Sequence, residues 1–229
     1  MNKRWKKTLI VSVFIVAVFL VSMIGFKFNI QKQLQNQQKT AAVLREQYPF
    51  AQSSIASRTP FSYVFPEKDT WLKLTDYVFR AEVVGDWEIR RRTINPTGDS
   101  NNGLDAIVET YYLPVKVTEW LDVRNGKEIP DNQIWVAYSF VDFNYSDASL
   151  FPVGSSFVFV GESPLQSREY CGKPVIGVDT LLTFYITDNE IILSFGAEQT
   201  INEFSGYSYG DFTAQIKRVA DKSGWHDKQ

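Results

Sequence analysis

The residues most often used for chemistry are nearly missing from this chain. It has one cysteine, Cys171, and one histidine, His226, among 229 residues. A single thiol cannot form an internal disulfide, so a folded domain here must rest on its apolar core. A lone histidine near the C-terminal end supplies no Ser–His or Cys–His pair to that domain. Zinc and iron sites need clusters of His and Cys that the chain lacks. Ser-x-x-Lys, a Walker-type glycine loop and His-Glu-x-x-His do not occur. The expectation is therefore no cofactor, no metal and no catalytic residue, and a protein that binds more than it catalyses.

Acidic residues are missing from the first 45 positions; the first is Glu46. Lys3, Arg4, Lys6 and Lys7 precede an uncharged apolar run from Thr8 to Phe26, which Lys27 closes. As a helix the run spans roughly 28 Å, close to the ~30 Å hydrocarbon core of a bilayer. Leu, Ile, Val and Phe at most positions favour insertion by several kcal/mol in total, on the order of 0.3–0.6 kcal/mol each. The basic residues ahead of the run predict a cytoplasmic N-terminus and a C-terminal part carried across the membrane. Val21-Ser22-Met23-Ile24-Gly25 is a poor cleavage site, because Met23 stands where a small residue is needed. Residues 1–28 thus read as a basic tip and an uncleaved, single-pass signal-anchor, with the lipid bilayer as first partner.

From Ala51 onward the sign of charge reverses, with 16 basic against 25 acidic residues and a net charge of −9. Such a domain is a poor partner for nucleic acid, whose phosphates call for clustered Lys and Arg. The one basic run, Arg90-Arg91-Arg92, is expected on a solvated loop shoulder. Residues 29–60 read as a stalk and linker. Ile30, Leu34, Ala41 and Leu44 share a helical stripe that Gln37 interrupts, which favours a solvated helical stalk over a two-stranded coiled coil. Ser53 to Pro60 has no periodicity. A chain starting near Ser57 is expected to fold without the anchor.

Residues 61–229 read as an extracytoplasmic β-rich domain. Asp69 or Thr70 can cap a short turn carrying Trp71, Leu72 and Leu74. Tyr77, Phe79, Ala81 and Val83 alternate with Arg80 and Glu82. A long strand from Ile107 to Leu121 places Tyr111, Leu113, Val115 and Val117 on one face, and Pro114 demands an edge or a bulge. Asn125-Gly126 marks a turn. Further strands are expected at 133–143, 155–161, 180–187 and 190–195, with Asp188-Asn189 closing the last pair. From Gly210 the period changes to 3.6, with Phe212, Ile216, Val219 and Ala220 on one face of a short C-terminal helix. Cys171 is expected in a turn, partly buried. Asp142 to Val153 begins like a calcium loop but lacks the glycine and the closing glutamate, so a polar turn is expected.

Three segments carry a family resemblance. Thr75-Asp76-Tyr77-Val78-Phe79-Arg80-Ala81-Glu82-Val83-Val84, then Tyr112 to Trp120, then Pro152-Val153-Gly154-Ser155-Ser156-Phe157-Val158-Phe159-Val160 follow in this order. In this the chain resembles uncharacterised exported bacterial proteins with an OB-like barrel, distantly similar to the netrin/metalloproteinase-inhibitor barrel. The resemblance covers about Leu74 to Phe195 and rests on alternation and one glycine. Ser155 stands where that family commonly has an acid, and no functional residue carries over. What it implies is a mainly β fold, an OB-like small barrel, exported and bacterial.

The remaining signal is aromatic. Phe204-Ser205-Gly206-Tyr207-Ser208-Tyr209-Gly210 sets rings beside glycines, so Phe204, Tyr207 and Tyr209 are the candidate contacts for a protein or cell-envelope partner. Tyr138, Phe140, Phe143 and Tyr145 form a second set. The expected role is a membrane-anchored binding module. The alternatives are a cell-envelope hydrolase using paired carboxylates and a structural subunit of a membrane complex.

Overall fold

The computed structural model describes residues 3–51, 75–94, 106–139, 149–163, 169–195 and 204–223; at 3–22, 24, 92–94, 106–108, 139, 179–181, 222 and 223 it describes the backbone alone. The turn expected at 69–74, the calcium-like stretch 142–148, with Phe143 and Tyr145, Phe140 and His226 lie outside the described residues.

Helix α1 runs unbroken over Lys3–Gln47, about 67 Å at 1.5 Å per residue. No proline interrupts it. Among the described residues no helix is long and apolar enough to cross a membrane; the apolar run 8–26 falls mostly where the backbone alone is described. A 3-10 turn over Pro49–Ala51 follows.

The stalk is not solvated throughout, and this corrects the sequence reading. Ala41 and Leu44 are buried in the main core together with Ala51. Tyr48 and Phe50 pack their rings on Tyr185, at 5.2 and 4.9 Å. The C-terminal half of the stripe, Ala41 and Leu44, is used within the chain itself, while Ile30 is exposed and Leu34 half-buried. Arg45 donates to the carbonyls of Ala51 and Ser194 and to Ser205 Oγ. Gln37 lies against Gly206: a Cβ there would stand 2.3 Å from the Gln37 carbonyl oxygen, and the φ of +90° also favours glycine.

Among the described residues eight strands form one sheet: β1 (Tyr77–Val83), β2 (Glu88–Ile94), β3 (Ala106–Val123), β4 (Gln133–Ser139), β5 (Ser156–Glu162), β6 (Glu169–Tyr170), β7 (Lys173–Ile186) and β8 (Ile192–Ser194). Helix α2 covers Tyr209–Ser223. β1 pairs with β5 on one side and β3 on the other. The pairing runs β1–β5–β7–β4–β3 and returns to β1, all antiparallel except β4 with β7.

β1 and β2 lie end to end along β3, against Val123–Val115 and Tyr112–Ala106 respectively. The basic run Arg90-Arg91-Arg92 is therefore in a strand, not on a loop shoulder. Charged residues suit β2 because among the described residues it pairs on one side alone, with β3. Pro114 falls opposite the break between β1 and β2, where its carbonyl accepts from Val84 N at 3.0 Å. The missing N–H is tolerated at that break, and on its other flank Pro114 stays in register with Trp135.

Alternation along the strands fills three apolar clusters. The inward set, with Phe79, Leu113, Val115, Phe157 and Phe159, makes the main core. The outward set of β1, β5 and β7, with Val78, Val158, Val160, Phe184 and Ile186, is covered by Phe212, Ile216, Val219 and Ala220 of α2. The third cluster, Tyr112, Trp135 and Val175 with Tyr170, lies on the outward positions of β3, β4 and β7. It is covered by no helix among the described residues.

Candidate functional site

The aromatic residues singled out by sequence sit at a structural joint. Phe204 is buried, at 4% exposure, with its ring edge-on to Phe184 and Phe212. It is a core residue, not a presented one. Tyr207 and Tyr209 are half-buried against the same cluster. Tyr209 Oη donates to Glu119 Oε2 at 2.8 Å, and the Arg80 guanidinium stands 4.7 Å over its ring. Arg80 in turn forms a two-pronged pair with Glu190, at 2.8 and 3.1 Å. Burial, then the Glu119 bond, raises the Tyr209 phenol well above its ordinary value. These contacts tie α2 to β1 and β3. Replacing both Tyr207 and Tyr209 with Ala is expected to cost on the order of 2 kcal/mol in a denaturant titration, because half-buried rings lose part of a full core penalty. An unchanged midpoint would show that the two rings hold nothing.

Gly206-Tyr207-Ser208-Tyr209-Gly210 also spells Gly-x-Ser-x-Gly, the pattern of a nucleophile elbow. Its serine has a different task. Ser208 Oγ accepts from Asp211 N at 3.1 Å and donates to Asp211 Oδ2 at 2.8 Å, capping α2. No histidine is placed beside it among the described residues. The hydroxyl is thus spent on helix capping.

Carboxylates come together at the start of β1. Asp76 is buried, with Oδ2 accepting from Lys127 Nζ at 2.8 Å and from Ser163 N at 3.1 Å, and with Arg124 3.9 Å from Oδ1. Glu162 is raised above its ordinary value by burial and then by Asp76. A cleft of about 520 Å³ opens nearby, lined by Tyr77, Lys127, Ile129, Ser163 and Pro174 among others. This is the nearest approach to a hydrolytic pair, but Asp76 is engaged on both oxygens and fastens the 124–127 turn. Among the described residues no three His, Cys, Asp or Glu are placed to hold a metal ion.

The third cluster has the character of a site. β3 and β4 set Tyr112 and Trp135 on one outward face, two register positions apart, since Tyr112 pairs with Ala137 and Trp135 with Pro114. Over them folds the β6–β7 hairpin, whose turn residues Cys171 and Gly172 have φ of +49° and +72°. Cys171 is exposed at this tip rather than partly buried. Tyr170 stacks on Tyr112 at 4.1 Å and 9°, and meets Trp135 edge-on at 5.2 Å. Its hydroxyl donates to Glu88 Oε2 at 2.8 Å, which, with burial, pushes the phenol up to about 12. Trp135 is 6% exposed, yet its indole N–H has no hydrogen-bond partner among the described residues. A buried donor left unmade costs about 1–3 kcal/mol, and the Trp120 indole N–H beside Tyr77 and Phe79 is left in the same way; what sets this face apart is an aromatic stack that also carries an acceptor, Glu88.

Sequence reasoning missed this cluster. Tyr112 was legible only as the outward neighbour of Tyr111 and Leu113. Tyr170 looked like part of a turn. Nothing local says that the hairpin at 169–174 folds back onto residues 35 and 58 positions earlier. No protein-family profile matches the chain, and no curated protein matches it in sequence.

Proposed function

We propose that this chain is a single-pass, membrane-anchored binding module of the cell envelope, holding an OB-like barrel outside the membrane and capturing a partner without turning it over. The observation that carries the reading is the Tyr112–Trp135–Tyr170 cluster with its buried, unsatisfied indole donor. Barrel closure is supported by the circuit of strand pairings and by the parallel β4–β7 pair. An OB-fold takes ligands on the face of its second and third strands. Counting β1 with β2 as one interrupted strand, those are β3 and β4 here. The anchor is supported by the 19-residue apolar run and its basic flank, and by the exposed Phe26 and Phe28, at the end of the run and just beyond it. The acidic charge of the domain argues for an uncharged or basic partner.

The test is a photo-crosslinking amino acid at Gln133, an exposed residue two positions from Trp135 on β4, in cells whose wall has been removed. A discrete crosslinked species, together with digestion of the domain by added protease while the remnant stays in the membrane, is the expected result. A fully protected domain would overturn the topology. An intact, accessible domain with no crosslinked species would overturn the binding role.

A further inference from the structure

We propose that the β6–β7 hairpin is a hinged cover, and that the place Tyr170 occupies is a site for an uncharged pyranose ring of an envelope glycan. The inference rests on the binding reading above and adds the ligand class and the gate.

The hairpin tip is lightly held. β6 is two residues long and among the described residues pairs only with β7, Glu169 with Pro174 and Tyr170 with Lys173, while β7 is next fastened at Val175, which pairs with Trp135. Glu169, Cys171 and Gly172 are exposed. Outside the hairpin, the described contacts of this tip are those of Tyr170: its ring on Tyr112 and Trp135, and its hydroxyl on Glu88. Among the described residues, Tyr170 is the side chain that fastens this tip to the sheet.

The chemistry beneath it selects the ligand. With Tyr170 lifted, Tyr112 would offer a flat aromatic face and Glu88 an acceptor, and Trp135, whose buried indole N–H has no partner among the described residues, is the donor we assign to the same site. A phenol satisfies the face and Glu88 but leaves the indole N–H without an acceptor, which is the present state of the site. A pyranose supplies all three: C–H groups for the aromatic face, a hydroxyl to donate to Glu88, and a hydroxyl or amide oxygen to accept from Trp135. A phosphate-bearing ligand would meet the Glu88 carboxylate and a domain of net charge −9. Beside the hairpin, a cleft of about 430 Å³ lined by Asp131, Asn132, Gln133, Gly172, Lys173 and Pro174 gives polar room for further sugar units.

The experiment uses the full chain in detergent micelles, labelled with 5-fluorotryptophan, with the Trp135 resonance assigned from Trp135→Phe. Chitotriose and cellotriose are titrated as probes, beside a tyrosine-containing tripeptide and ATP. A cover that competes with ligand lowers apparent affinity by the fraction of time it is open, so Tyr170→Ala should bind a trisaccharide about tenfold more tightly than the parent. Tyr170→Phe, which keeps the ring and loses the Glu88 bond, should fall between them and guards against misfolding of the alanine variant. Trisaccharide binding to folded Tyr170→Phe that leaves the Trp135 resonance unmoved, or no binding at all, overturns the pyranose site. A response to the tripeptide or to ATP equal to that of the sugars overturns the ligand class. Equal affinity in parent and both variants overturns the gate. If sugars fail while the Gln133 crosslink still captures a partner, this inference falls and the binding role stands.

Discussion

A chain beginning at Ser57 is expected to be less stable than one beginning at Ile30 by about 4 kcal/mol, a large share of the ~5–15 kcal/mol that holds a domain of this size together. The shorter chain loses Ala41, Leu44 and Ala51 from the main core, and with them the cover that Tyr48 and Phe50 place on Tyr185. A buried Leu is worth roughly 1.5–3 kcal/mol and two half-buried rings about as much again. Arg45 adds little net, because burial opposes its charge even as it donates to the Ala51 and Ser194 carbonyls and Ser205 Oγ. Guanidinium titrations of the two chains, followed by circular dichroism, measure the difference. Within the longer chain, Leu44→Ala should account for about 2–3 kcal/mol of it. Coincident midpoints would mean that the helix end is an ornament on a self-sufficient domain, as the sequence alone suggests.

The reason that expectation arises is instructive. Leu34, Ala41 and Leu44 were visible as a stripe, but a stripe does not name its partner. A second helix, a bilayer and the chain's own sheet all suit a 3–4 spacing. Gly206 decides among them, because only a residue without a Cβ lets the Gln37 backbone approach so closely. That contact joins positions 169 residues apart, and no local pattern announces it.

Strand alternation was far more legible. Tyr77 to Val83, the inward set Tyr111 to Val117, the Asn125-Gly126 turn and the face of α2 are all found where period and turn chemistry put them. The failures share one cause. β2 was hidden because three consecutive arginines outweighed its pairing with β3, and the first half of β7 because Pro174 and Gly177 look like breakers. In both, long-range pairing overrides local preference. Of the aromatic candidates, Phe204 is buried while Tyr207 and Tyr209 are half-buried; glycine neighbours in sequence do not report exposure, and the Tyr112–Trp135–Tyr170 cluster is assembled from three separate strands.

Gly161→Val is expected to destabilise the fold by at least ~3 kcal/mol, more than most single surface or loop changes. Gly161 sits where β5 crosses β7 with a register shift between Phe159 and Gly161. A Cβ built there would lie 2.4 Å from the Gly177 carbonyl oxygen and 2.7 Å from Ile176 Cγ2. The first of these is backbone and cannot rotate away, so the strands must part. They part at a costly place, since Gly161 also pairs with Tyr77 and its carbonyl accepts from Asp76 N at 2.8 Å. Gly161 is thus paired on both flanks, with Tyr77 of β1 and with Val178 of β7, at the end of ladders that the rest of β5 continues. Gly177→Ala is the control: its nearest neighbour is the Glu162 carbonyl oxygen at 3.7 Å, an ordinary contact, and the change should be nearly silent. Thermal and denaturant unfolding of both variants read the difference directly. If Gly161→Val melts with the parent, the close crossing of β5 and β7 is not what joins the two halves of the sheet. If it melts early while Gly177→Ala does not, the absence of a side chain at Gly161 is a requirement of the pairing circuit itself.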